Sequence, residues 1–465
     1  MKGPNVLLIS IDTLRADHLT CYGYKRPTSP NIDQLGREGV VYEKAYSTAV
    51  WTPPAHASLL TGLYPSSHGA VGENRLRRDI PTLAQVLLGC GYKTFGFINN
   101  SQVGELVGLE KGHQVYQEIW KGQPSTSLVQ RGINFLLRKG AGIMGVSDHG
   151  AHRTNQLAFR SFLDSRDNPF YMFLHYIEPH NPLDPPSAFK ARYWKDISLQ
   201  NIDLKKVGLV ANNPLIYFVD EMTLNSNEIE ALKALYDAEI NYLDQKIGEL
   251  TDFLKREGIY DETMIILTAD HGEHFGEHNL YSHVSSLYEP IIHIPLIIKY
   301  PGRSDNGKWM SSLVQLVDVF PTVIDVLGLD QQLSEKVQGV SLGGTKEIFH
   351  EFIIAEWEGR IPSFIMKRVG NPDSSEVVRR FKDPMVMIRQ GDHKFIKSES
   401  GKEELYDIGR DKDERFNKIG EEKIIAAELK KKLLKWQAMN QKIEHEKQSS
   451  VDELTKKNLE SLGYL

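Results

Sequence analysis

Three short apolar runs that each stop on an acid or a histidine constrain this chain more than any other feature. Residues 6–11 (VLLISI) run into Asp12-Thr13. Residues 170–176 (FYMFLHY) lead into a stretch holding His175 and His180, and 263–268 (TMIILT) run into Asp270-His271. Continuous apolar runs rich in β-branched residues read as buried strands of a parallel sheet. A fourth strand is expected near 93–98 (KTFGFI). Helices are expected between them: 30–39 closing at a glycine, 80–90, and a long one over 226–256 through Leu232, Leu235, Ile240, Leu243 and Ile247. Alternating strands and helices predict an α/β domain with a mostly parallel sheet. Ligands of such sheets bind beyond the carboxyl ends of the strands, where these polar residues fall.

From residue 350 the pattern changes. FIIAEW (352–357), MVMIRQ (385–390) and HKFIKS (393–398) read as antiparallel strands, with a turn at Gly391-Asp392. A charged helix is expected over 420–447, packing Ile424, Leu429, Leu433 and Trp436. The expected division is a catalytic α/β domain at 1–345, a small C-terminal α+β subdomain at 346–420 and a charged helical tail at 421–465, which is also a candidate homo-oligomer contact.

Composition narrows the function. With 465 residues, 40% of them hydrophobic, the chain can bury a large core, and a net charge of −6 argues against nucleic acid as the main partner. Two cysteines, Cys21 and Cys90, fit a reducing compartment. The N-terminus lacks the pattern of a signal peptide, and no apolar stretch approaches the roughly 20 residues of a membrane helix, so a cytoplasmic protein with no membrane span is expected.

Asp12, Thr52, Asp270 and His271 combine two carboxylates, a hydroxyl and an imidazole, a set suited to a divalent cation. Taken alone, Thr52 in TPPAHASLLTG (52–62) reads as a helix N-cap followed by a proline at the first helical position. A helix N-terminus also favours an anion.

At this point the sequence resembles the sulfatase branch of the alkaline phosphatase superfamily. The family's stretch Cys/Ser-x-Pro-x-Arg-x-x-Leu-Leu-Thr-Gly aligns with Thr52 to Gly62. Further counterparts follow in order: IDTLRADHLTCYGY (11–24), TSPNIDQLGREGVVYEKAY (28–46), LYPSSHGA (63–70), EPHNPLDPP (178–186), TADHGEHFGEHNLYSH (268–283), SLYEPIIHIPLII (286–298), LVDVFPTVIDVLGL (316–329) and ELYDIGRDKDER (404–415). The resemblance covers about 4–420. It implies an alkaline-phosphatase-like sandwich, with a central mostly parallel sheet flanked by helices. It also implies a metal-dependent sulfuric or phosphoric ester hydrolase acting on a small-molecule or glycan- or lipid-linked ester.

The departures are informative. Thr52 stands where sulfatases make formylglycine from Cys or Ser, and oxidised threonine would be a ketone. The paired acids after the first strand are Asp12-Thr13, and the signature Arg is His56. The Gly-Lys-Trp-His stretch is replaced by Ile98-Asn99-Asn100. The remaining set resembles the single-metal site of phosphonate monoester hydrolases and of threonine-using phosphoglycerol transferases. It implies one divalent ion (Mn, Ca, Mg or Zn) on Asp12, Thr52, Asp270 and His271, with Thr52 as nucleophile. His180 matches the family's Pro-His-x-Pro histidine and His283 lies near its active-site lysine; both are candidate acids for the leaving oxygen. His56 is expected to contact the anion or orient Thr52. Arg15 and Asn74 are weaker candidates, and His274 and His278 are either a second metal pair or surface histidines. Hydrolysis is the first reading, with phosphotransfer or phosphodiester or phosphonate monoester cleavage as alternatives. A non-catalytic binding relative is the third, and retention of all four site residues argues against it.

Overall fold

The computed structural model describes residues 3–121, 148–165, 168–198, 200–283, 285–302, 307–332, 336–343, 350–369, 375–440, 446–447 and 451–462. Nine strands make one mixed sheet: β1 (Asn5–Ile11), β2 (Val40–Tyr46), β3 (Lys93–Ile98), β4 (Val115–Glu118), β5 (Phe170–Tyr176), β6 (Thr263–Ala269), β7 (His293–Ile294), β8 (Leu296–Lys299) and β9 (Lys308–Gln315). Their order is β7-β2-β8-β6-β1-β5-β3-β4, with β9 also on β2. The centre is parallel: β1 lies between β5 and β6, with Ser10 opposite both His175 and Thr268. Only β7 and β8 run antiparallel to their neighbours. Every residue of β1, β5 and β6 is buried, as expected for strands covered on both faces.

Helices α1 (Pro30–Glu38), α2 (Thr52–Thr61), α3 (Leu83–Gly89), α4 (Ala151–Asp164) and α5 (Ser226–Arg256) supply the main covering layers. Helix α3 begins three residues later than its apolar pattern suggests, because Thr82 caps it in a reciprocal pair with Gln85. Helix α5 starts on the same device, Asn225 with Glu228, and buries all five of its predicted apolar positions.

The C-terminal strands β10 (Ile353–Trp357), β11 (Met385–Gln390), β12 (His393–Ser398) and β13 (Glu403–Asp407) form an antiparallel sheet in that order. Its side chains alternate between two cores. Ile353, Ala355, Trp357, Met387, Ile396 and Tyr406 join the main core, whereas Ile354, Ile388, Phe395 and Leu405 pack under helix α6 (Lys423–Met439). The expected packing set of that helix needs one correction. Ile424 is 78% exposed, and Ala426 takes its place with Leu429, Leu433 and Trp436, because 426, 429, 433 and 436 share one face at steps of three and four. Nor is 420–447 helical throughout. Glu446 and Lys447 are extended and pair with Arg75 and Asn74, and a further helix, α7 (Glu453–Ser461), follows. Helix α7 buries Leu459 in the main core, and Asn458 accepts the Ser101 amide at 3.3 Å. Among the described residues, no helix is long and apolar enough to cross a membrane.

Candidate active site

Four adjacent parallel strands, β6, β1, β5 and β3, end at one edge of the sheet. Asp12 and Asp270 are the first residues beyond β1 and β6, His175 is the penultimate residue of β5, and Asn100 follows β3 by two. All four are buried. The Asp12 turn needs unusual backbone. Thr13 has φ 57, a left-handed conformation that a β-branched residue avoids. It is held there from both sides: its amide donates to Asp270 Oδ1 at 3.2 Å, and its carbonyl accepts the Tyr236 hydroxyl of α5 at 2.6 Å. The same hydroxyl accepts the Arg15 amide at 2.9 Å. Tyr236→Phe strands both backbone groups. The expected cost is about 2–3 kcal/mol of stability and roughly 10-fold weaker metal binding, measured by urea unfolding and by metal titration; a variant equal to wild type in both would refute the role given to this tyrosine.

Helix α2 brings Thr52. The structure shifts the expected cap by one position: Trp51 is the N-cap and Thr52 is the first helical residue. Its Oγ1 lies 3.3 Å from Nε2 of His271. All ten residues of the helix are buried. Gly62 ends it at φ 70, a left-handed conformation strained for any other residue, and a Cβ there would lie 3.0 Å from Val337 Cγ1 and 3.2 Å from Phe320 Cβ.

The carboxylates are arranged in a shared pattern. Asp12 Oδ2 accepts Asn100 Nδ2 at 2.8 Å, and Asp270 Oδ1 accepts the His271 amide at 2.8 Å. The other oxygens, Asp12 Oδ1 and Asp270 Oδ2, are buried without a hydrogen-bond partner. His271 donates Nδ1–H to the Gly272 carbonyl at 3.0 Å, which leaves the Nε2 lone pair facing those oxygens, 3.3 Å from Asp270 Oδ2 and 3.9 Å from Asp12 Oδ1. One ligand atom from each of these three residues lies within 4.8 Å of the others. Two orphaned anionic oxygens and an imidazole lone pair on one point fit a divalent cation. Electrostatics agree. Burial and the facing Asp12 push the Asp270 carboxyl well above its usual range. Burial opposes the Asp12 charge too, but His180, His175 and His271 outweigh it and hold Asp12 low.

His56 donates Nδ1–H to the Thr52 carbonyl at 2.9 Å and accepts the Ser10 hydroxyl at Nε2, also 2.9 Å. Burial, with His175 nearby, lowers its pKa to about 3. It is thus a neutral strut between β1 and α2, without the positive charge of the arginine in the family signature. His180 donates Nδ1–H to the Asn181 carbonyl at 2.6 Å, and its ring centroid is 5.1 Å from that of His283. The His283 ring lies 4.6 Å from His271, and Nδ1 is 3.2 Å from Glu273 Oε2.

The weaker candidates separate. Arg15 binds Asp17, Glu277 and the Glu273 carbonyl, a brace on the loop after β6. Asn74 pairs with Lys447 in the tail ladder. His274 bonds Ser286 at 2.7 Å and His278 stacks on Tyr288 at 3.8 Å, and neither joins the Asp12 group. Sequence reasoning placed His175 at this edge without giving it a role, and missed Asn100 and Glu273 as site residues. His175 Nε2 lies 3.5 Å from Asp12 Oδ2. Its one signal was a histidine at the end of an otherwise apolar strand.

This fold, with paired acids and a histidine at the carboxyl edge of its sheet, defines an ester hydrolase of the alkaline phosphatase superfamily. The chain belongs to the sulfatase family: residues 4–329 match it, and 276–439 match the C-terminal region of N-sulphoglucosamine sulphohydrolase. It is 26% identical over 464 residues to an arylsulfatase of Clostridium perfringens, covering 90% of this chain and 91% of that one. It is 28% identical to the multifunctional alkaline phosphatase superfamily protein PehA of Trinickia caryophylli, covering 70% and 74%. In fold it is similar to the phosphonate monoester hydrolase of Agrobacterium radiobacter, with a TM-score of 0.72, 21% identity and coverage of 94% and 96%.

Proposed function

We propose that the protein hydrolyses a phosphoryl ester, a phosphate or a phosphonate monoester, through a covalent Thr52 intermediate in a site holding one divalent cation. The observation that carries this reading is the 3.3 Å approach of Thr52 Oγ1 to the metal-facing nitrogen of His271, from the first turn of a buried helix. Asp12, Asp270, His271 and Thr52 would hold the cation, which when bound neutralises the ester's oxygens and favours the Thr52 alkoxide.

Thr52 Oγ then attacks phosphorus in line with the leaving oxygen. The Oγ–P bond forms as the P–O bond to the leaving group breaks, and His180 or His283 protonates that oxygen. Water attacks the phosphothreonine and frees Thr52. His56 keeps the first helical turn against β1, which fixes the direction of attack.

Sulfate is the second reading, favoured by the arylsulfatase-like length of the match. Chemistry ranks it second: an aldehyde hydrate can release sulfate by elimination, whereas a sulfo-threonine has no such route. The two unpaired cysteines, Cys21 and Cys90, support the expected cytoplasmic setting. A panel of aryl phosphate, phosphodiester, phosphonate monoester and aryl sulfate, each with Mn, Mg, Ca or Zn, tests the ranking. Turnover of the sulfate alone would overturn it.

A further inference from the structure

Glu273 is two residues beyond His271 but turns its carboxylate toward His283. It is 5% exposed; Oε2 lies 3.2 Å from His283 Nδ1, and Oε1 has no hydrogen-bond partner. Its backbone is fixed by Arg15, which donates Nη1–H to the Glu273 carbonyl at 2.9 Å. His283 is 3% exposed and sits between the rings of His271 and His180, at 4.6 and 5.1 Å.

We propose that Glu273 is a positioning residue for protonation of the leaving group: it engages Nδ1 of His283 and so makes Nε2 the nitrogen that exchanges a proton with the substrate. The proposal rests on the reading of His283 as a leaving-group acid. The need for a partner follows from the residue type. A lysine ammonium, the family's group near this position, carries its protons on one nitrogen. An imidazole carries them on two, and a neighbour must choose. A carboxyl oxygen 3.2 Å from Nδ1 accepts the Nδ1–H and orients the ring, so that Nε2 is the nitrogen left to face the substrate. As the bond from phosphorus to the leaving oxygen breaks, the Nε2 proton passes to that oxygen, and His283 is left neutral with Nδ1–H still on Glu273. When water attacks the Thr52 ester, the Nε2 lone pair takes the water proton and the pair returns to its starting state.

The test uses the metal-loaded full chain and aryl esters of the class that wild type turns over, with leaving groups from dinitrophenol to phenol. Protonation matters for the poor leaving group and little for the good one. In Glu273→Gln, which keeps the shape, kcat for the phenyl ester should fall roughly 10-fold, and in Glu273→Ala roughly 100-fold. The dinitrophenyl ester should change less than about 3-fold in both, with KM and bound metal unchanged. Equal losses across the series, or none, overturn the proposal if His283→Ala still shows the selective loss. If His283→Ala shows no leaving-group selectivity, the assignment of His283 itself fails, and the pair with it.

Discussion

Thr52→Ala is expected to lower kcat/KM by on the order of 10⁴-fold or more, while stability moves by less than about 1 kcal/mol. The two readouts separate because the change is small in volume and large in chemistry. Alanine suits the first turn of a helix, and the buried surroundings of residue 52 lose only a hydroxyl and a methyl group. What disappears is the attacking oxygen. Asp12, Asp270 and His271 still converge, so the variant should bind one divalent ion. Thr52→Ser restores an oxygen on the same helix position and should recover most of the activity. Rates with the panel of four esters, together with metal analysis, decide the matter. Alanine activity close to wild type would remove the nucleophile from the mechanism.

Chelation should have the second large effect, visible as stability as well as activity. Without a cation, Asp12 and Asp270 face each other in the core, and Asp270 is pushed well above its usual range by burial and by Asp12. Burial likewise pushes Glu273 up to about 8. A carboxyl whose folded pKa is raised binds its proton more tightly in the folded state. Its contribution is therefore present below the unfolded pKa and is lost as pH rises through the folded one. The buried, neutral His56 acts in the opposite sense, but only below about pH 6.5. Between about pH 7 and pH 8, the metal-free protein should thus lose stability, by up to about 1.4 kcal/mol per group for each unit. Bound metal should flatten that slope, because it takes up the Asp270 charge. In Asp270→Asn, the amide oxygen keeps the bonds from the His271 and Thr13 amides, and the amide nitrogen replaces an oxygen that repelled Asp12. Metal-free Asp270→Asn should be inactive yet about 1–3 kcal/mol more stable than metal-free wild type at pH 8. Urea unfolding in a chelator measures both; a metal-free wild type that gains stability over this interval would contradict the account.

The fold was legible wherever one local rule acted alone. The strands at Asn5–Ile11, Phe170–Tyr176 and Thr263–Ala269 are apolar runs bounded by polar residues, and the long helix carries its own capping box. Asp12, Asp270 and His271 could be read because they follow those strands directly, and Thr52 because ordered motifs surround it. His175 was harder: it lies inside a strand, and its nearness to Asp12 depends on the register that sets it opposite Ser10. Asn100 depends on β3 lying next to β5, a pairing no local pattern encodes. Glu273 looked like one more charge in a Gly/Glu/His-rich loop until the loop's path brought it to His283. Ile424 misled because one apolar residue near a helix start says little about which face the helix buries.

Helix α7 gives the chain a timetable. Asn458 takes the amide of Ser101, the residue after the asparagine that holds Asp12, and Leu459 closes the core beneath it. On the ribosome, the Asn100 turn gains this contact only once the stretch after residue 452 has emerged. Chains stopped short of it would carry every proposed ligand and the nucleophile, yet leave the Asn100 turn without its support. The order of synthesis thus brings in the last support of the Asn100 turn after every residue that the turn faces.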